Sequence, residues 1–191
     1  MRKQRGFTLV ELMVVIAIIG ILGTVLIPSV TKLTDKANAA KLVSIVDSMR
    51  TACDAYYNDI STYAWEYSTP NYTGAGNHRL SLDSGAAAWN GPYINSPLSR
   101  ADNPWDNQSR VYSVTSNFYS SSSGNGFDLD GNGGEETTAV GNLMTFFAVP
   151  TTVAPVINEL VDGANETAWQ GRGKFEYLNN YYGTFYLTGG R

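Results

Sequence analysis

Two groups of residues in this 191-residue chain have types and spacings that could do chemistry. The first is a lone carboxylate. Glu11 is the single charge in residues 7–30, FTLVELMVVIAIIGILGTVLIPSV. A charged side chain in hydrocarbon is costly, so one that is kept there calls for a partner and a use. No basic residue lies within helical reach on its C-terminal side. A cut before Phe7 would create a positive α-amine four residues away. That amine cannot easily meet its own Glu11 but can meet one from a neighbouring chain, which makes the carboxylate an assembly device.

The second group is Asp128-Leu129-Asp130-Gly131-Asn132-Gly133-Gly134-Glu135-Glu136. With Asp128 as position 1, oxygen side chains fall at 1, 3 and 5, a glycine at 6 and Glu136 at 9. That is the first half of an EF-hand loop, and hard oxygen ligands suit Ca²⁺. Position 12 is Ala139, so the bidentate glutamate of a true EF-hand is missing. A different calcium loop within residues 127–139 fits better. Asp128, Asp130, Asn132 and Glu136 would be its side-chain ligands, and Gly134 would lend its carbonyl. The competing reading is a solvated Asp/Asn/Gly turn. Four acidic groups within nine residues repel one another without a cation, which favours calcium.

Other chemistry finds little support. The acidic residues of this turn could in principle be paired hydrolytic carboxylates, but nothing around them reads as a cleft, and no enzyme is expected. A Ser–His–Asp triad would rest on the single histidine, His78, which sits in a Gly/Asn-rich loop and reads as solvated. The single cysteine, Cys53, excludes an internal disulfide and a multi-cysteine zinc site, and reads as a buried, inert thiol. Of 13 Lys and Arg residues three, Arg2, Lys3 and Arg5, precede the apolar run, leaving 10 against 17 acidic residues in the rest. An acidic body makes nucleic acid a poor partner.

The elements that hold these groups follow from periodicity. As a helix, the 24 residues of the apolar run would span about 36 Å, enough for a hydrocarbon core of about 30 Å. Basic residues before it predict the leader in the cytoplasm and the body outside. Ala37-Asn38-Ala39 offers a rival signal-peptide cleavage site. The run is too long for a normal h-region, it contains Glu11, and residues 28–36 separate it from that site. Helix should continue over residues 31–58. Leu42, Ile45, Val46, Met49, Cys53, Tyr56 and Tyr57 form an apolar stripe there, opposite Lys41, Ser44, Asp47, Arg50, Asp54 and Asn58. Residues 59–110 read as a long ordered loop. Strands are expected within 110–119, 143–149 and 174–187, the last divisible into a hairpin at Asn179-Asn180. The fold class is α+β, a long N-terminal helix packed on a small antiparallel sheet, with residues 59–191 as the globular part.

Arg5-Gly6 followed by Phe7-Thr8-Leu9-Val10-Glu11 resembles the class III leader of type IV pilins and of the pseudopilins of type II secretion and competence systems. The resemblance implies a leader over residues 1–6, cleavage after Gly6 by a prepilin peptidase, N-methylation of Phe7, and a pilin-like fold. It also implies a homo-oligomeric filament with the hydrophobic helices at its centre. Gly91-Pro92-Tyr93 and Asn103-Pro104-Trp105-Asp106-Asn107 resemble the GPY…DPWGN pattern of the major pseudopilin of type II secretion, with Asn103 and Asp106 as departures. We read these residues as structural. That family also carries a calcium loop late in the chain. The implied setting is the inner membrane, single-pass with the body outside, together with an assembly platform and minor pseudopilins. The function implied is a subunit of the secretion pseudopilus, with a type IV pilus subunit for adhesion, motility or DNA uptake as the alternative. Gly20, Gly23 and Pro28 admit two readings: ordinary tolerance in a transmembrane helix, or a segment that loses helicity on assembly.

Overall fold

The computed structural model describes residues 6–68, 74–105, 109–114, 127–129, 140–163, 171, 173–178 and 181–189. It divides into two compact units, Met1–Ala37 and Asn38–Arg191, with helix α1 (Leu9–Ile60) contributing to both.

In the first unit α1 is unbroken through Gly20, Gly23 and Pro28. It contains a stretch with a mean hydropathy of 2.7, none of it buried, that is long and apolar enough to cross a membrane. Two of its hydroxyls are satisfied within the helix: Thr24 Oγ1 donates to Ile21 O (2.8 Å) and Thr34 Oγ1 to Val30 O (3.0 Å). That is how polar residues are tolerated where no water is available. An unbroken helix in the single chain is compatible with both readings of Gly20, Gly23 and Pro28. Ala37-Asn38-Ala39 lies inside α1 with Ala39 fully buried, a poor setting for signal-peptide cleavage.

In the second unit the stripe on α1 packs as its periodicity requires. Leu42, Val46, Met49, Cys53 and Tyr56 are buried, joined by Ala39 and Ala52, while Ile45 and Tyr57 are half-buried. The helix ends at Ile60 because Ser61 turns left-handed (φ 58) and its amide donates back to Tyr57 O at 2.8 Å. This is the usual αL stop, with serine where glycine is commoner.

The sheet has five antiparallel strands in the order β1-β2-β3-β5-β4: β1 (Glu66–Tyr67), β2 (Ser109–Val114), β3 (Gly141–Phe146), β4 (Phe175–Leu178) and β5 (Tyr182–Gly189). The three predicted stretches hold β2, β3 and the pair β4 and β5, and Asn179-Asn180, the expected division of the last stretch, lies outside the described residues. β1 and the short helix α2 (Ala154–Val161) lie outside the predicted elements.

Every residue of β3 is buried, so both faces of the sheet are covered. Met144 and Phe146 face α1 in the main core with Val111, Phe175, Phe185 and Leu187. Leu143 faces the other way, into a smaller cluster with Tyr67 and Phe127, against which Trp65, Leu129 and Tyr186 pack. Polar side chains tie α1 to the sheet: Thr188 Oγ1 donates to Asp54 Oδ1 (2.8 Å), and Arg50 bridges Asp47 Oδ1 (2.6 Å) and Tyr186 O (3.2 Å). β3 and β5 approach so closely that a Cβ on Gly141 would sit 2.6 Å from Thr188 O.

Candidate functional sites

At the N-terminal site Gly6, Phe7 and Thr8 precede the helix, and Phe7 is 87% exposed. The Gly6–Phe7 bond therefore lies in non-helical chain. Thr8 is the N-cap. Its carbonyl accepts the Leu12 amide (3.3 Å), and its Oγ1 accepts the Glu11 amide (3.3 Å). Glu11 reaches back, and its Oε2 accepts both the Thr8 amide and the Thr8 hydroxyl, each at 2.8 Å. This is a reciprocal capping box. Glu11, which has no basic residue within helical reach on its C-terminal side, thus has two local hydrogen-bond donors in Thr8. The pattern Thr8-x-x-Glu11 before an apolar run is a known signature of that box, and sequence reasoning missed it.

Of the five proposed calcium ligands only Asp128 falls within the described residues. Asp130, Asn132, Gly134 and Glu136 lie outside them. Asp128 is 2% exposed, which a purely solvated turn does not explain. Phe127 and Leu129 on either side of it enter the smaller cluster, with the Phe127 ring 5.6 Å from that of Tyr186. The Asp128 carbonyl accepts the Gly173 amide at 2.6 Å. The start of the candidate loop is thereby fixed to the sheet face opposite α1. Among the described residues no three His, Cys, Asp or Glu side chains are grouped to hold a metal.

The solvated reading of His78 is corrected. His78 is 8% exposed, and its Nδ1 lies 2.9 Å from Oε1 of the fully buried Glu66. The same carboxylate accepts the amides of Leu80 (3.2 Å) and Leu98 (3.4 Å) and the hydroxyl of Ser81 (3.0 Å). A carboxylate buried in this way is sustained by its donors. Here they come from two stretches of the long excursion between β1 and β2, so Glu66 is the polar hub that orders it. The Ser81 hydroxyl donates to the carboxylate and to the backbone carbonyl of His78 (3.4 Å), while the His78 ring meets the carboxylate, which is not the hydroxyl–imidazole relay of a nucleophilic triad.

The Gly-Pro-Tyr motif orders the same excursion. Tyr93 packs edge-on against Tyr56 of α1 (5.5 Å between centroids) and Trp89 (5.8 Å), and its hydroxyl donates to Asp59 Oδ2 at 2.8 Å. A Cβ on Gly91 would meet the Trp89 ring at 2.5 Å, so only glycine fits. Asn103, at the family's aspartate position, accepts the Trp105 amide (3.1 Å) and donates to Phe147 O (2.9 Å). An aspartate could not make the second bond. Burial, with Asp54 and Glu66 nearby, pushes the Cys53 thiol far up, consistent with an inert thiol. A cleft of about 350 Å³ lies between α1 and residues 93–102. The one carboxylate lining it, Asp102, is held by the Ser99 amide at 2.6 Å.

Known proteins match these features at the N-terminus first. Residues 1–27 match the family model of the prokaryotic N-terminal methylation motif. In the N-terminal region the chain is similar to the type II secretion system core protein G of several bacteria. It is 45% identical to that of Klebsiella michiganensis over 62 residues, which is 32% of this chain and 44% of that one. For Vibrio cholerae the figures are 43% over 63 residues, 33% of this chain and 43% of the relative. A fimbrial protein of Pseudomonas aeruginosa is 44% identical over 55 residues, 29% of this chain and 36% of that protein. The chain thus spans less than half the length of the curated relatives it matches. No solved structure matches it.

Proposed function

We propose that the chain is a structural subunit of a type IV pilus-like filament, namely the pseudopilus that drives protein export by type II secretion. The supporting observation is one continuous arrangement. A methylation-type leader runs into non-helical chain at Gly6–Phe7, then into a capped helix bearing Glu11 and an apolar stretch able to span a membrane. The leader is removed by a prepilin peptidase and Phe7 is methylated. The subunit rests in the inner membrane with its body outside, and joins the filament through an assembly platform and minor pseudopilins. On assembly the Phe7 amine of one copy pairs with Glu11 of another. The similarity to core protein G and the ordered Gly-Pro-Tyr and Asn-Pro-Trp segments favour the secretion pseudopilus. The similarity to a fimbrial protein keeps a pilus subunit as the second reading.

The test of processing is an intact-mass measurement on chain recovered from membranes of cells that carry a prepilin peptidase. The expected species has lost residues 1–6 and gained one methyl group at Phe7. A chain beginning near residue 40 would overturn the proposal in favour of a secretory signal peptide.

Calcium is part of the same proposal. A buried Asp128 at the head of an acidic, glycine-rich loop fits a hard cation. Asp128, Asp130, Asn132 and Glu136, with the Gly134 carbonyl, would hold it and so close a loop that has no disulfide. Ligand at 100 times Kd adds about 2.7 kcal/mol to stability. The detergent-solubilised chain is therefore expected to melt several degrees lower in chelator than in calcium. Asp130→Ala with Glu136→Ala should remove the difference, and magnesium should restore little of it. Superimposable melting curves with and without chelator would refute the site.

A further inference from the structure

We infer that Thr8 is a positioning residue for assembly: it fixes the Glu11 carboxylate so that one oxygen is taken and the other is presented to the incoming subunit. This rests on the proposed pairing of Glu11 with a neighbour's Phe7 amine.

The geometry is specific about which oxygen is used. Both donors of Thr8, the amide and the hydroxyl, bind Oε2 at 2.8 Å. Oε1 accepts nothing from Thr8. A glutamate has three rotatable bonds, and in an apolar surrounding a free carboxylate would sample several directions. Two charge-assisted bonds to one oxygen hold it in a single pose against the start of its own helix. The helix N-terminus itself favours a negative group there. The carboxylate is thus partly satisfied while the subunit waits in the membrane, and it needs no rearrangement to accept an ammonium on Oε1. The incoming subunit meets a prepared acceptor rather than a mobile one, which lowers the ordering cost of association.

The alternative is that Thr8 only caps the helix. Substitutions separate the two roles. Glycine is a tolerated N-cap, within a few tenths of a kcal/mol of serine or threonine, but has no hydroxyl to donate. Valine keeps the shape of threonine and also lacks the donor. Serine keeps both functions. Filament yield would be measured by shearing and sedimentation in cells lacking the wild-type subunit, with leader removal and membrane insertion followed in parallel.

Thr8→Val and Thr8→Gly are expected to lower filament yield roughly tenfold, the scale of one hydrogen bond to a charged group, while processing and insertion stay at wild-type levels. Thr8→Ser should restore assembly. Normal yield from Thr8→Gly would leave capping as the only role and overturn the inference, as would failure of Thr8→Ser to rescue. If Glu11→Ala also assembled normally, the pairing itself would be wrong. Normal assembly of the Thr8 variants beside a defective Glu11→Ala would remove only the positioning role.

Discussion

Glu66→Ala is expected to lower the melting temperature of the chain by about 10 °C, from a loss of about 3–5 kcal/mol at about 2–4 °C per kcal/mol. The carboxylate is completely buried, and it is the shared acceptor for His78 Nδ1, the Leu80 and Leu98 amides and the Ser81 hydroxyl. Removing it strands those donors away from water, each at the cost of an unmade bond. It also unties the excursion between β1 and β2, on which the packing of Tyr93 against α1 depends. His78→Ala takes away one donor of several and should cost less, about 1–3 kcal/mol. Thermal melts of the two variants beside wild type check this. An unchanged Glu66→Ala melt, or a His78→Ala melt lower than that of Glu66→Ala, would contradict the hub.

Much of the fold is legible in the sequence where the signal is periodic and long. The apolar run and the stripe from Leu42 to Tyr56 announce α1, and the aromatic-rich stretch 174–187 announces the antiparallel pair β4 and β5. Short or distant determinants are not legible in the same way. β1 is two residues long, and its identity comes from pairing Glu66 with Val111 and Tyr67 with Arg110, far along the chain. α2 has eight residues with Pro155 in its first turn, an N-terminal signal too brief to stand out from the surrounding Thr and Val. The stop of α1 uses Ser61 in a left-handed conformation, where a glycine would have flagged it. The burial of His78 is not legible in its Gly/Asn-rich neighbourhood because it depends on a glutamate twelve residues away. In the N-terminal site the residue types sufficed for Glu11, whereas Thr8 was passed over although its spacing to Glu11 carries the capping signature. For the candidate calcium loop the sequence suggests donors. It did not suggest that Phe127 and Leu129 fasten the loop's first residues to the far face of the sheet.

Assembly of a membrane-resident helix through Glu11, as proposed, is put to the test by Glu11→Ala. The variant retains the leader, the scissile Gly6–Phe7 bond and the whole apolar stretch, so it should be inserted and processed like wild type. On the proposed pairing it loses the acceptor for the α-amine of the next subunit, and that amine would then lack its partner in apolar surroundings. Sheared-filament yield should be measured in cells that lack the wild-type subunit, with the membrane pool of processed subunit as the reference. The account predicts filament yield at background and an undiminished membrane pool. Filaments at the wild-type level from Glu11→Ala would contradict it.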